Sequence, residues 1–286
     1  MILVLGLSPA WQRTLEFRRF VPGKVNRAVR VSEIASGKGV NVARVAKQIG
    51  ADVRLLTLAG GPRGELLVGS LKSQRIPSHV VQVEAETRIC QTLLDGKAVT
   101  ELVEEAGALR AVEVARVVGA FERELRRARL VVLTGTVPPD CGDDFFARLV
   151  ADTRVPVLID VQGRQLVNAV RSGVFLVRIN RDELAAVPKL DRDGVQWLAI
   201  SDGARPVSVI HGREMFRLQP PRVRVVNSVG SGDAMMAGIA TGLWRGESPL
   251  EAIRLGIACG AANALTLTPG FVRRADVNRL LKRRWT

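Results

Sequence analysis

The chain has 286 residues, 47% hydrophobic and 24% charged, enough for a sizeable core in one large domain or two modest ones. Its three cysteines, Cys90, Cys141 and Cys259, have neither paired nor metal-ligand spacing, which argues against a disulfide scaffold or structural zinc and points to a reducing cytoplasm. The net charge of +14 would suit nucleic acid, but it is spread along the chain, its clusters "RELRRAR" and "LLKRRW" read as solvated helix faces, and 4% aromatics without tyrosine leave few stacking platforms, so no nucleic-acid partner is expected.

"MILVLGL" opens the chain as a buried strand. No basic stretch precedes it and a proline soon follows, so it does not read as a leader. The segment "WQRTLEFRRFVPGKVNRAVRV", near 11–31, alternates polar with apolar residues, as strands exposed on one face do. Next comes "ASGKGVNVARVAKQIG", residues 35–50, a small-residue loop opening a helix. Gly37 and Gly39 there permit close backbone approach to a ligand, Lys38 stands at the helix mouth, and Asn41 offers a donor and an acceptor to a polyhydroxyl ligand; an ordinary strand-to-helix turn is the alternative.

Beyond "VRLLTLAG", a second alternating stretch, "ETRICQTLLDGKAVTELVEEAG", spans 86–107. The runs "LVVLTGTV", "VPVLID", "FLVRIN", "WLAISDG" and "VSVIHG" follow, nearly continuous in apolar residues. Such runs suit a sheet covered on both faces, so we expect one α/β domain over 1–286, layered around a mostly parallel sheet. The two alternating stretches pair into a small sheet outside it. The last third is helical: "GDAMMAGIATGLWRG" ends at Gly246, and "SPLEAIRLGIACGAANALT" starts with Ser248 as N-cap and Pro249 in the first turn. No apolar run reaches the roughly 18 residues that span a membrane.

Within "NSVGSGDAMMAG", Gly230, Ser231 and Gly232 feed a helix, which gathers backbone N–H groups and the positive helix end at one spot suited to a phosphoryl group. Asp233 in the same turn would repel that group. As a functional residue it faces the incoming nucleophile, accepts a hydroxyl proton, and is kept ionised by the helix terminus; otherwise it is only a helix-start residue.

"SGKGVNVARV" and "NSVGSGDAMMAG" resemble the two signature segments of the ribokinase-like (PfkB) carbohydrate kinases, in the family's order. "VLTGTVPP", "NRDE" at 180–183 and "SDGA" at 201–204 are similar to further family motifs. The resemblance implies a three-layer α/β/α sandwich with a β-sheet lid, contributed by about 11–31 and 86–107. It implies ATP and Mg2+, with Asp233 as base, Gly230, Ser231 and Gly232 as the anion hole, and Asn180 and Glu183 holding the metal. Ser201, Gly203 and Asn263 would lie along the nucleotide; Gln12, Gly37, Lys38, Asn41, Arg88 and Thr136 along the sugar.

Arg88, in "ETRIC", is similar to the arginine that grips the substrate's own phosphate in the 1-phosphofructokinase and tagatose-6-phosphate kinase branch. Lys24 and Arg27 are further lid candidates. Ser8 and Gln12 stand where that branch has Asn and Asp, and Arg178 where it has Lys. The function implied is phosphorylation of a phosphorylated ketohexose (fructose 1-phosphate, fructose 6-phosphate or tagatose 6-phosphate). The alternatives are a kinase of a free sugar or nucleoside and a non-catalytic sugar-phosphate-binding protein. A homodimer through the lid is expected by likeness.

Overall fold

The computed structural model describes residues 1–96, 98–187 and 190–282. Its first half runs β1 (Ile2–Gly6), β2 (Ala10–Glu16), β3 (Arg30–Ser36), α1 (Lys38–Gln48), β4 (Val53–Ala59), α2 (Gly61–Ser73), β5 (Ser78–Gln82), β6 (Arg88–Leu94), β7 (Val99–Val103), α3 (Ala111–Leu125) and β8 (Leu130–Thr134). The second half runs α4 (Phe145–Ala151), β9 (Val157–Asp160), α5 (Gly163–Arg171), β10 (Val174–Asn180), α6 (Arg181–Ala185), β11 (Val195–Asp202), β12 (Arg205–His211), β13 (Glu214–Leu218), α7 (Ser231–Arg245), α8 (Pro249–Asn263) and α9 (Arg274–Leu281).

Alternate residues of a strand point to opposite faces, and β1 shows what that requires here. Ile2 and Val4 enter one core with Val45 of α1, Leu67 of α2, Met236 of α7 and Ile257 of α8. Leu3 and Leu5 enter another with Phe121 of α3, Phe146 of α4 and Leu166 of α5. Both faces are therefore apolar, and the layers are helix, sheet, helix. The sheet has nine strands in the order β13-β12-β11-β10-β9-β8-β1-β4-β5. Only the β11–β12 and β12–β13 pairs are antiparallel.

The second sheet, β3-β2-β6-β7, is the expected lid. Its central pair, β2 with β6, is parallel, and the outer pairs are antiparallel. The stretch 11–31 is not strand throughout: 17–29 is a connection whose turn Asn26 closes, accepting from Val21 N–H at 2.9 Å and donating to Val21 O at 2.8 Å. Strand β3 instead runs on to Ser36, one residue short of α1. Lys24 and Arg27 are exposed in that connection, as are Arg123, Arg126, Arg127 and Arg129 of the first basic cluster. Residues 283–285 of the second basic cluster lie outside the described residues, as does Lys97 in "DGKAV".

The caps of the last helices form as their sequences suggest. Gly246 ends α7 in the left-handed region at φ 86, and Ser248 and Glu251 make a reciprocal capping box at the start of α8. The two helices lie so close that a Cβ on Gly238 would come within 2.6 Å of Gly256 Cα. That contact sets how closely α7 lies against α8, and α7 begins at the site.

Candidate active site

Gly230, at φ 79, turns the chain into α7 in a conformation that L side chains rarely adopt. Ser231 N–H closes that turn by donating to Ser228 O at 3.1 Å. Asp233 follows in the first helical turn and is 7% exposed. Asn41 Nδ2 reaches across from α1 and donates to Asp233 Oδ2 at 2.8 Å. Asn41 Oδ1 accepts from Ser36 Oγ at 3.1 Å and Arg44 Nη1 at 2.9 Å, which occupies both its lone pairs. Asn41 thus has at most one N–H left for a sugar hydroxyl, fewer groups than its sequence position suggests.

Burial is the largest influence on Asp233 and pushes its carboxyl up to about 6, with Asp160 adding to the rise and Lys38, Asn41 and Arg178 opposing it. The helix terminus was expected to keep Asp233 ionised at neutral pH, and burial works against that charge. The group is still mostly ionised at neutral pH, and it titrates where a general base is effective.

Charged groups from three further elements surround the cradle. Lys38 Nζ, at the first residue of α1, lies 2.8 Å from Asp160 Oδ1 and 3.8 Å from Glu183 Oε1. Burial pulls Lys38 down, but Asp160, Asp233 and Glu183 together hold it above the ordinary lysine value. Arg178 Nη1 lies 3.4 Å from Asp160 Oδ2, and Arg178 Nη2 donates to Ser201 Oγ at 2.8 Å. Burial raises Asp160, yet Lys38 and Arg178 outweigh it and keep its carboxyl below the usual range. The Arg178 guanidinium presses on the cradle itself: a Cβ on Gly232 would stand 2.5 Å from Nη1. A buried cation beside N–H groups at a helix start is an arrangement that stabilises a transferring phosphoryl group.

The remaining sequence candidates fall around this centre. Gly37, at φ 102, lets β3 enter α1 directly over the β1–β2 turn, where a Cβ would stand 2.9 Å from Pro9 Cα. Gly39 likewise packs on Gly6, so both glycines serve contact between backbone segments. Gln12 and Arg88 share a face of the lid, with β2 and β6 in register at Ala10–Arg88 and Gln12–Cys90. Arg88 donates to Glu104 O at 2.8 Å and to Ser8 O at 3.1 Å, in a cleft that Pro9, Thr87 and Pro138 help to line. Thr136 is exposed in the loop after β8.

Of the residues expected along a nucleotide, Ser201 ends β11 beside Arg178, and Gly203 lies exposed in the following turn at φ 55. Asn263 is fully buried; it donates to Val229 O at 2.9 Å and Ser231 Oγ at 3.1 Å and accepts from Phe271 N–H at 3.2 Å. Its side chain supports the cradle from behind.

Asn180 and Glu183 cap each other at the start of α6. Asn180 Oδ1 accepts from Glu183 N–H at 2.8 Å, and Glu183 Oε2 accepts from Asn180 N–H at 2.9 Å. The second Glu183 oxygen meets Gln162 Nε2 and faces Lys38. Carboxylate and amide oxygens are the hard donors that magnesium takes, mostly through retained waters and substrate phosphates, so these residues fit that ion.

Arg44 and Asp160 were not anticipated, and Arg178 was noted only as standing where the branch has Lys. Their sequence signal is a charge inside an otherwise apolar run, in "VARVA", "PVLID" and "FLVRI"; a buried charge demands partners that such a run does not name.

Tagatose-6-phosphate kinase of Staphylococcus epidermidis is 27% identical over 99% of this chain and 98% of its own length. Phosphofructokinase-2 from Escherichia coli in complex with fructose-6-phosphate superposes with a TM-score of 0.86 at 22% identity, covering 98% of this chain and 97% of that one. Ribokinase from Thermotoga maritima gives 0.80 at 19% identity and 99% coverage of both chains. The description "pfkB family carbohydrate kinase" matches residues 2–271, and with that span including both glycine-rich segments, α1 and the Asp233 turn, the chain belongs to the pfkB family of carbohydrate kinases.

Proposed function

We propose that the chain transfers the γ-phosphoryl group of ATP to a hydroxyl of a phosphorylated ketohexose: fructose 1-phosphate, fructose 6-phosphate or tagatose 6-phosphate. The observation that carries this reading is the buried Asp233 beside an N–H cradle flanked by Lys38 and Arg178. Asp233 takes the hydroxyl proton as the hydroxyl oxygen attacks the γ-phosphorus and the bond to the leaving diphosphate breaks. Gly230, Ser231 and Gly232 line the place where charge gathers on the transferring group. Arg88 holds the sugar's own phosphate with a planar fork of donors. Gln12 and the remaining Asn41 N–H orient hydroxyls, and the lid excludes water that would compete as acceptor.

Magnesium, when bound, supplies charge neutralisation for the nucleotide phosphates, with Asn180 and Glu183 at its water shell. A cleft of about 230 Å³ is lined by Arg181, Arg205 and Arg217 with Asp202, which pairs with Arg181 and Arg205 and leaves Arg217 as the cation that adds attraction for an anionic nucleotide. The compartment that fits is the cytoplasm, where ATP and sugar phosphates meet, and the assembly that fits is a homodimer through the lid.

The test is ADP release with ATP and magnesium across the three sugar phosphates, fructose, ribose and adenosine, with Asp233→Ala as control. Turnover is expected on a sugar phosphate, falling at least a thousandfold in the variant. It should decline below about pH 6 as Asp233 protonates. Turnover on fructose or adenosine that ignores Arg88→Ala would sink the sugar-phosphate reading. Binding of a sugar phosphate with no ADP across the panel would sink the kinase reading.

A further inference from the structure

Arg44 stands in the middle of α1, within the run Gly39–Ala46 whose residues are all buried, and is itself 2% exposed. A buried guanidinium is tolerated only where its donors are matched. Nε donates to Gln74 Oε1 at 2.6 Å, Nη1 to Asn41 Oδ1 at 2.9 Å and to Pro269 O at 3.3 Å, and Nη2 to Ala35 O. Every one of these acceptors is neutral. Among the described residues no carboxylate is in contact with the buried Arg44, and the carboxylate that feels its charge is Asp233.

Between the two lies Asn41. Its oxygen is taken by Arg44 and Ser36, so its nitrogen must be the atom that faces Asp233. The reverse orientation would set the amide oxygen against a carboxylate and its N–H groups against a guanidinium. The amide is also clamped from the side, since a Cβ on Gly270 would stand 2.4 Å from Asn41 Cβ and 2.7 Å from Oδ1. Polarisation by a cation at the oxygen strengthens the N–H donor at the other end.

We propose that Arg44 is a positioning residue that acts on Asp233 through Asn41, locking the amide in its donating orientation and holding the carboxylate in its charged form. The role rests on the reading of Asp233 as the base. The other charged groups around Asp233 are Lys38 at the start of α1, Asp160 at the end of β9 and Arg178 in β10. Asp160 is paired with both Lys38 and Arg178, so those charges largely oppose one another. The Arg44 charge has no such opponent. Burial lowers its own pKa to about 10, which still leaves it protonated at every pH at which Asp233 titrates.

The experiment follows side-chain nitrogen and carboxyl NMR signals of the unaltered protein through a pH titration, then repeats it on Arg44→Met and Arg44→Lys. In the unaltered chain the Asn41 amide and Arg44 guanidinium signals should shift with one midpoint, that of Asp233, near 6. Arg44→Met should raise the Asp233 midpoint, and the acidic limb of kcat with it, by about one pH unit. Arg44→Lys should keep the midpoint but lower kcat about tenfold, because an ammonium cannot grip Asn41 and its neighbours as a fork does.

Silent Asn41 and Arg44 signals during the Asp233 titration would overturn the proposal, and this needs no variant to fold. An unmoved Asp233 midpoint in Arg44→Met would overturn it equally. Full turnover by Asp233→Ala alongside coupled titration would remove the base instead and leave the Arg44 coupling standing.

Discussion

Gln12, proposed above for the sugar site, is a neutral residue whose amide nitrogen is already engaged. Its Nε2 donates to Thr92 Oγ1 at 2.9 Å and to Arg13 O at 3.2 Å. A carbonyl only accepts, so the atom facing Arg13 O is the nitrogen, and both its protons are engaged. Among the described residues no donor meets the amide oxygen, which leaves it as the acceptor that sugar hydroxyls would require. Gln12→Leu should therefore raise KM for the sugar phosphate about tenfold, the effect of losing one or two hydrogen bonds, while Gln12→Asp keeps KM within a few-fold. Initial rates against sugar phosphate decide this, and an unchanged KM in Gln12→Leu would exclude Gln12 from the sugar site. Asp233, Asn41 and the glycines around them were legible because each lies in a short local motif. Arg178 and Asp160 were not, since their meaning lies in each other and in Lys38, which is 122 residues from Asp160.

Among the elements, the apolar strands were readable because burial on both faces leaves an unbroken signature. Strand β5 was not read: Ser78, His79 and Gln82 interrupt it, and it lies at the sheet edge beside β4. Strand β7 is the other informative edge. It is exposed along its whole length, with Val99 at 40%, Leu102 at 49% and Val103 at 54%. An apolar strand with one side unpaired is an invitation to a second chain. Sedimentation should report twice the chain mass of 31.0 kDa, and Leu102→Glu should bring it down to a single chain. A monomer before mutation removes the lid from consideration as an interface.

Across the whole molecule, the burial of Asp233 opposes stability. Folded Asp233 holds its proton up to about pH 6 instead of 3.8, so the folded state binds more protons than the unfolded chain between those values. The stability from this group is present in full below 3.8 and is lost as pH rises through 6. The loss is at most about 3 kcal/mol, two pH units at about 1.4 kcal/mol each. Asp233→Asn, inactive as a kinase, should thus unfold at higher urea than the unaltered chain at pH 8, with the gap closing towards pH 4. A variant weaker at pH 8 would mean that the neighbouring cations need the carboxylate more than burial penalises it.

The lid joins the body at four crossings: 7–9 from β1, Gly37 into α1, 83–87 from β5, and 104–110 into α3. Its two hairpins are separate insertions, joined through the parallel β2–β6 ladder and the side chains along it. No single break in the chain can release it. Nor can recombination graft it onto another scaffold as one block, because either hairpin alone would arrive with a bare edge where its neighbour belongs. A lid of this kind can change only residue by residue, in step with the floor it covers.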